Sequence, residues 1–353
     1  MPIYECDPWR QQYFLDTACP PGVHIPTDDT DGCRFNPRFR WVYNKLLIAK
    51  SQRVICGLHD QQPPAYPVFC KPVVNLKGMG IGTCVLNDYA DYLNKCHEGD
   101  FWMPLLSGEH ISTDFAVVNG ESMWCRHSLG IPAVAGTFDY WTVEARIRPS
   151  LETCCRHWIR QHMPDYTGML NIETIDGFII EVHLRFADQW PDLYGHRWLD
   201  SVVRLYELRQ WQFTDRPRLD GYSVVLFGPH EREYLYPPAQ KIREYRVTDA
   251  IRSVQITFFE GLPLTAHSMP PGGFRVAVIN TANLSAGLRL RAVMAQDFGI
   301  QGFDGQVDAS RKIHKHTRLW KPLSSVHRSG RDGISVDKKD LRELKLFLVA
   351  SKN

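Results

Sequence analysis

Residues Gly168–Arg185 read GMLNIETIDGFIIEVHLR, two runs of alternating apolar and polar residues on either side of Asp176-Gly177. Asp-Gly between alternating runs signals a β-hairpin, because Gly takes positive φ at no steric cost. In the second run Ile180, Val182 and Leu184 alternate with Glu181, His183 and Arg185. One face of that strand is therefore apolar and the other carries an acid, an imidazole and a guanidinium. The first run adds Asn171 and Glu173. Register determines whether these groups meet. A two-residue turn pairs Ile175 with Phe178 and sends Glu173 and Glu181 to opposite faces. A three-residue loop over 175–177 pairs Thr174 with Phe178 and Asn171 with Glu181, gathering Asn171, Glu173, Glu181 and His183 on one face. Gly177 at the third, left-handed loop position favours the second register. Two carboxylates and an amide on a hairpin form an oxygen-rich nest for Mg²⁺, which binds a few carboxylates together with substrate phosphates. The same pattern also describes a solvated sheet face with incidental charge pairs.

The chain of 353 residues is long for one domain and has ample material for two or three lobes. Its 44% hydrophobic and 23% charged content are ordinary for a soluble globular protein, and a net charge of +2 implies no dominant polyanionic partner. Ten cysteines lack CxxC pairs and regular spacing, which predicts free thiols and a cytoplasmic location. No apolar run reaches membrane length and the N-terminus lacks a signal-peptide pattern.

Residues 1–40 are rich in Pro, Asp and aromatics, with turn clusters such as Thr27-Asp28-Asp29, and read as a short irregular leading lobe. A helix is expected over Trp41–Ser51 with Lys45 and Lys50 exposed. A strand, Tyr66–Pro72, carries Lys71 and precedes VVNLKGMGIGT, where Gly78, Gly80 and Gly82 make a loop poor in side chains. Its backbone N–H groups can close over phosphates, with Lys71 and Lys77 supplying positive charge. No Gly-Lys-Ser/Thr follows, so this is not a Walker A loop, and many such loops are simply turns. Thr83 then predicts a helix cap, with Val85, Tyr89 and Leu93 at helical spacing through Lys95. Phe101–Leu106 is a short apolar strand, followed by GEHISTD at Gly108–Asp114 and a strand ending at Asn119-Gly120.

This order of elements resembles the ATP-grasp superfamily over roughly residues 41–300. IIEVHLRF is similar to the family's apolar-Glu-x-Asn-x-Arg strand, with GMLNIE as its partner. FCKPVVNLKGMGIG is similar to its lysine strand and Gly-rich flap, and PLLSGEHISTD to its hinge and following acidic segment, where His110 stands at a position usually held by Glu. The resemblance implies an α+β fold in which two lobes with antiparallel sheets clamp ATP. The divisions are a reduced N-terminal lobe (1–50), a small lobe with the flap (51–100), a large lobe with the metal-binding hairpin (101–300) and a C-terminal extension (301–353). It also implies that Lys45, Lys71, Lys77, Gly78 and Gly80 meet phosphates. The hinge backbone from Trp102 through Met103 to Leu105 would meet adenine, and Glu109 or His110 the ribose. Glu173 and Glu181 would hold Mg²⁺, and Arg185 and Lys71 would act on the transferred phosphate. His183 replaces the family's Asn, and imidazole suits hard Mg²⁺ less well than an amide oxygen does. Asn171 compensates across the hairpin, or a metal position is lost, or Mn²⁺ is tolerated.

Such a site positions phosphates in line and neutralises their charge, while the flap at Asn75–Thr83 keeps water from an acyl phosphate. The activity implied is an ATP-dependent ligase joining a small carboxylate to an amine, and a homodimer is compatible with it. A kinase on the same fold and a catalytically dead nucleotide-binding scaffold are the alternatives. Between Asn119 and the end, the sequence predicts a helix from Ser150 bearing Cys154, Cys155 and His157, and a helix over Trp198–Trp211. Strands are predicted at Tyr222–Phe227, Val254–Phe259 and Phe274–Ile279, and a last helix over Asn283–Gln296. His230, His267 and Ser268 are rim residues or pocket residues. From Asp304 onward, about twelve Lys and Arg face six acids. Arg311, Lys312 and Lys315 around Trp320 suit a phosphate-bearing partner, but no nucleic-acid recognition fold accompanies them, and such a stretch is more often a solvated extension.

Overall fold

The computed structural model describes residues 3–4, 8–134, 136–247, 250–259, 261–263, 267 and 269–300; the readings of the basic stretch after residue 300 and of Ser268 lie outside them. Strands β1 (Ile3–Tyr4) and β2 (Ile25–Pro26) form a short parallel pair around helix α1 (Pro8–Gln11). The Thr27-Asp28-Asp29 cluster is a helix start rather than an irregular turn. Asp28 caps α2 (Asp29–Phe35) by accepting from the Asp31 N–H at 2.8 Å. Asn44 does the same for α3 (Lys45–Ser51), accepting from the Leu47 N–H at 3.0 Å.

A four-stranded antiparallel sheet follows, built from β3 (Gly57–Leu58), β4 (Val68–Pro72), β5 (Cys84–Leu86) and β6 (Asp100–Pro104) in the order β3-β6-β4-β5. The helix expected from Thr83 begins later, as α4 (Tyr89–Lys95). Asp88 is its cap, accepting from the Asp91 N–H at 2.8 Å, and Cys84–Leu86 are instead drawn into pairing with β4. The small sheet extends through Pro104, so the apolar strand expected near 101 belongs to it.

The larger sheet has eight antiparallel strands: β7 (His110–Val118), β8 (Glu121–Pro132), β9 (Phe138–Val143), β10 (Gly168–Ile175), β11 (Phe178–His183), β12 (Gly221–Gly228), β13 (Ile251–Ile256) and β14 (Phe274–Thr281). Their order is β11-β10-β7-β8-β9-β12-β14-β13. Helices α5 (Pro149–His162), α6 (Trp198–Leu208), α7 (Ala239–Tyr245) and α8 (Leu284–Asp297) complete the described chain. Phe115, Val117, Leu170, Ile172 and Val182 bury one face of the sheet against Cys155, Trp158 and Ile159 of α5 and Ile48 of α3. Ala116, Trp124 and Met169 bury the opposite face against Trp198, Val202 and Leu205 of α6. Val224, Ile256 and Ile279 form a third core with Met294 of α8. Because residues two apart share a face, Asn171 and Glu173 lie on the α6 side, beyond the aromatic cluster. Nine cysteines among the described residues are free thiols. Among those residues no helix is long and apolar enough to cross a membrane.

The hairpin corrects the sequence expectation in an instructive way. Asp176 (φ 50°) and Gly177 (φ 82°) form a two-residue turn, and Ile175 pairs with Phe178. That is the register expected to separate the two acids. A β-bulge restores them: Thr174 pairs with Ile179, but Glu173 pairs with Glu181 and Asn171 with His183, leaving Ile180 unopposed. The predicted pairing of Asn171 with Glu181 is therefore wrong, yet all four residues share one face.

Candidate functional site

The bulge supplies more than register. The carbonyl of the unopposed Ile180 accepts from Lys71 Nζ at 3.0 Å, tying β4 of the small sheet to the hairpin of the large one. Lys45 also reaches the hairpin, with Nζ 2.5 Å from Glu181 Oε1. The exposed position expected for Lys45 is incorrect: it is buried, because the first turn of α3 packs on β11 and its ammonium needs the carboxylate. Burial opposes the Glu181 charge, but Lys45 prevails and holds the carboxyl below its usual range.

Burial likewise opposes charge on Glu173, and His110 and His183 overcome it, holding this carboxyl well below the carboxylate range. His110 Nε2 lies 2.9 Å from Glu173 Oε2, and the His110 ring is set edge-on against Phe138 and Trp141. His183 Nε2 stands 3.6 Å from both Glu173 Oε1 and Glu181 Oε2. Its Nδ1 is 3.0 Å from each carboxylate oxygen of Asp29. Burial lowers the His183 pKa, and the Asp29 carboxylate more than reverses this, bringing it to about 9. Asp29 is pulled down to about 2, its burial outweighed by Arg185 and His183. Arg185 Nε completes the cluster 3.1 Å from Asp29 Oδ1.

Two buried polar atoms here lack a hydrogen-bond partner, His183 Nε2 and Asn171 Oδ1. The Asn171 amide nitrogen is occupied, donating to Ser112 Oγ at 2.8 Å and Asp114 Oδ1 at 2.6 Å, which leaves its oxygen free. Two carboxylates with an orphaned nitrogen and an orphaned oxygen nearby form a donor set that fits a divalent cation.

Lys71 is almost fully buried, and desolvation lowers its pKa to about 8 despite the attraction of Glu181. Near pH 8 half of these ammonium groups are neutral in the free protein. A phosphate bound beside Lys71 would restore the charge, and polyphosphate affinity would then fall as pH rises through 8, with proton uptake on binding. Lys71→Arg is expected to remove that pH dependence, because guanidinium does not titrate there. Calorimetry in buffers of different ionisation enthalpy reads the proton uptake.

The flap carries left-handed backbone at Gly78, Met79, Gly80 and Gly82, with φ between 57° and 74°. Asn75 Oδ1 accepts from the Lys77 and Gly78 N–H groups at 2.9 and 3.2 Å, so these two amides serve the loop's own turn. The loop lies against the β8–β9 connection: a Cβ added at Gly136 would meet the Met79 carbonyl at 3.3 Å.

Between flap, hairpin and β14 lies a cleft of about 830 Å³. It brings together Lys71, Lys77, Gly78, Gly80, His110, Asn171, Glu173, Glu181, His183 and Arg185, with Lys45 behind Glu181. His267 also lines it, whereas His230 Nε2 lies 3.0 Å from the Pro270 carbonyl. Trp102, Met103, Leu105 and Glu109 are not among the lining residues. Trp102 and Met103 are buried, and Glu109 is half-exposed with its carboxylate 2.6 Å from Arg148. Asp29 was missed by the sequence reading. The signal for it was Asp28 followed three residues later by Asp31, an N-cap pattern that places Asp29 in the first turn of a helix.

Neither a protein-family model nor a curated protein sequence matches this chain. Its fold, however, is similar to that of an L-amino acid ligase from Bacillus licheniformis, with a TM-score of 0.57 at 11% identity over 82% of each chain. It is also similar to a phosphoribosylamine–glycine ligase from Thermotoga maritima, with a TM-score of 0.56 at 12% identity over 81% of this chain and 85% of the other. A carboxyaminoimidazole ribonucleotide synthase from Aspergillus clavatus complexed with ATP gives 0.50 at 11% identity over 73% and 72%. The α+β architecture expected from the sequence is the architecture these proteins share with the chain.

Proposed function

We propose, from the ATP-grasp fold that this chain has, that it is an ATP-dependent ligase joining a small-molecule carboxylate to an amine. The observation that supports it is convergence: Lys45, Lys71, Glu173, Glu181, Arg185 and a Gly-rich flap meet at one cleft. A volume of about 830 Å³ accommodates a nucleotide with a small second substrate.

Lys71 and Arg185 set positive charge on the transferred phosphate, while Lys45 keeps Glu181 ionised and in place. Glu173 and Glu181, with His183 and Asn171 beside them, would hold Mg²⁺ or Mn²⁺, which neutralises phosphate charge when bound. A carboxylate oxygen of the substrate attacks the γ-phosphorus as the bond to ADP breaks. The amine nitrogen then attacks the acyl carbon, phosphate leaves with the C–O electron pair, and the amine loses a proton to solvent. The flap, resting on the β8–β9 connection, shields the acyl phosphate from water. Of the residues expected at the nucleoside, His110 lines this cleft and would meet the ribose, whereas Trp102, Met103, Leu105 and Glu109 lie outside its lining.

A screen of small acids paired with amines, read as ADP release, tests this. ADP release requiring both partners is expected. Release requiring only an alcohol would make the protein a kinase, and binding of nucleotide without turnover of any pair would make it a scaffold.

A further inference from the structure

We infer that the ion of this site is a divalent transition metal held through His183 Nε2, with Asp29 fixing the imidazole, rather than Mg²⁺ in an all-oxygen shell. This rests on the reading of the hairpin as a metal–nucleotide site. His183 Nε2 is fully enclosed, lacks a hydrogen-bond partner, and is flanked by Glu173 and Glu181 at 3.6 Å each. The ring's orientation is set from the other side. Asp29 takes Nδ1 with both oxygens at 3.0 Å, is itself buried, and is held in turn by Arg185. A carboxylate on one imidazole nitrogen and a second nitrogen without a hydrogen-bond partner between two acids is the arrangement that orients histidine as a metal ligand, the ion displacing the Nε2 proton as it binds. Mg²⁺ favours oxygen donors and sheds water reluctantly, whereas first-row transition ions accept imidazole readily. The selection of ion is therefore built into β11 and α2.

Elsewhere among the described residues, the group Cys125, His127 and Glu152 has metal-capable atoms within 4.8 Å of one another. Its members are already satisfied: His127 lies between Thr113 and Glu152, and the Arg156 guanidinium contacts both Cys125 Sγ and Glu152. No nitrogen or oxygen of the His127 or Glu152 side chain is left without a partner, in contrast to His183 Nε2 and Asn171 Oδ1, so no ion is assigned to this group.

The test is Mn²⁺ and Mg²⁺ titration of the full chain without nucleotide, with pulsed EPR of bound Mn²⁺ for nitrogen coupling. Wild type is expected to prefer Mn²⁺ and to show imidazole nitrogen coupling. His183→Asn is expected to lose the coupling and to reduce the Mn²⁺/Mg²⁺ preference at least about tenfold. Asp29→Asn is expected to keep the coupling while weakening Mn²⁺ binding by about 10- to 100-fold, the effect of a positioning residue. His110→Gln and Glu152→Gln, which alter the other nearby histidine and the second cluster, are expected to keep the coupling. Bound Mn²⁺ without nitrogen coupling in wild type overturns the inference even if His183→Asn does not fold, and so does an unchanged preference in a folded His183→Asn. Persisting ligase turnover in either case leaves the proposed function standing. Nitrogen-coupled Mn²⁺ without turnover of any substrate pair supports the metal assignment and contradicts the ligase.

Discussion

Glu181→Gln is expected to lower metal-dependent ADP release by more than about a hundredfold, because losing a residue that merely orients a ligand already costs about 10- to 100-fold. Glu181 is placed to do three things at once. It faces Glu173 across the bulged hairpin, lies 3.6 Å from His183 Nε2, and accepts from Lys45 at 2.5 Å. The amide is nearly isosteric but carries no charge, so both the proposed cation and the Lys45 ammonium lose their counter-ion. The protein is expected to stay folded with stability reduced by about 2 kcal/mol. That is less than the cost of an abandoned buried charge, because the Gln oxygen still accepts from Lys45. Steady-state ADP release and urea unfolding at pH 7 read the two effects separately. Full turnover in this variant would place the metal elsewhere.

Asp114→Ala is expected to have the largest effect on stability, a loss of about 3–5 kcal/mol, because it strips an acceptor from several buried donors. Asp114 accepts from Asn171 Nδ2 at 2.6 Å, from the Ala187 N–H at 2.9 Å and from the Tyr194 hydroxyl at 2.7 Å. It thereby fastens β7 both to the hairpin and to the chain leaving it. Burial raises its pKa to about 6 although these hydrogen bonds pull the other way. The sign of the pH dependence follows. Between the ordinary value of about 3.8 and about 6 the folded protein binds more protons at this site than the unfolded chain. The contribution is complete below 3.8 and is lost as pH rises through 6. Asp114→Asn should remove this slope, visible as a smaller fall in unfolding free energy between pH 4 and pH 6.5. An unchanged slope would assign the titration to another group.

Much of the site was legible because strand alternation fixes faces. Glu181 and His183 had to share one side of β11, with Arg185 two residues beyond its end, and Lys71 sits in a β4 segment bounded by Pro67 and Pro72. The turn could not be read the same way. Asp-Gly suits both a two-residue and a three-residue loop, and the bulge leaves Ile180 unopposed with its carbonyl accepting from Lys71, more than a hundred residues earlier. Strands β8 and β9 were not anticipated. Within ESMWCRHSLGIP, Arg126, His127 and Ser128 interrupt the apolar pattern, yet all three are buried. Arg126 is neutralised by Asp215 at 2.8 Å and His127 is bonded to Thr113 and Glu152. Such satisfaction arises only from tertiary contacts. Asp29 was hidden for a similar reason, since the Thr27-Asp28-Asp29 cluster reads as a turn until His183 and Arg185 are seen to close over it.

The most direct measurement is calorimetric titration of the full chain with ATP, in the presence of Mg²⁺, of Mn²⁺ and of neither. Saturable binding of ATP that depends on the metal, and that is lost in Glu181→Gln, is the expected result. Absence of ATP binding with either ion would contradict a nucleotide site between the hairpin and the flap.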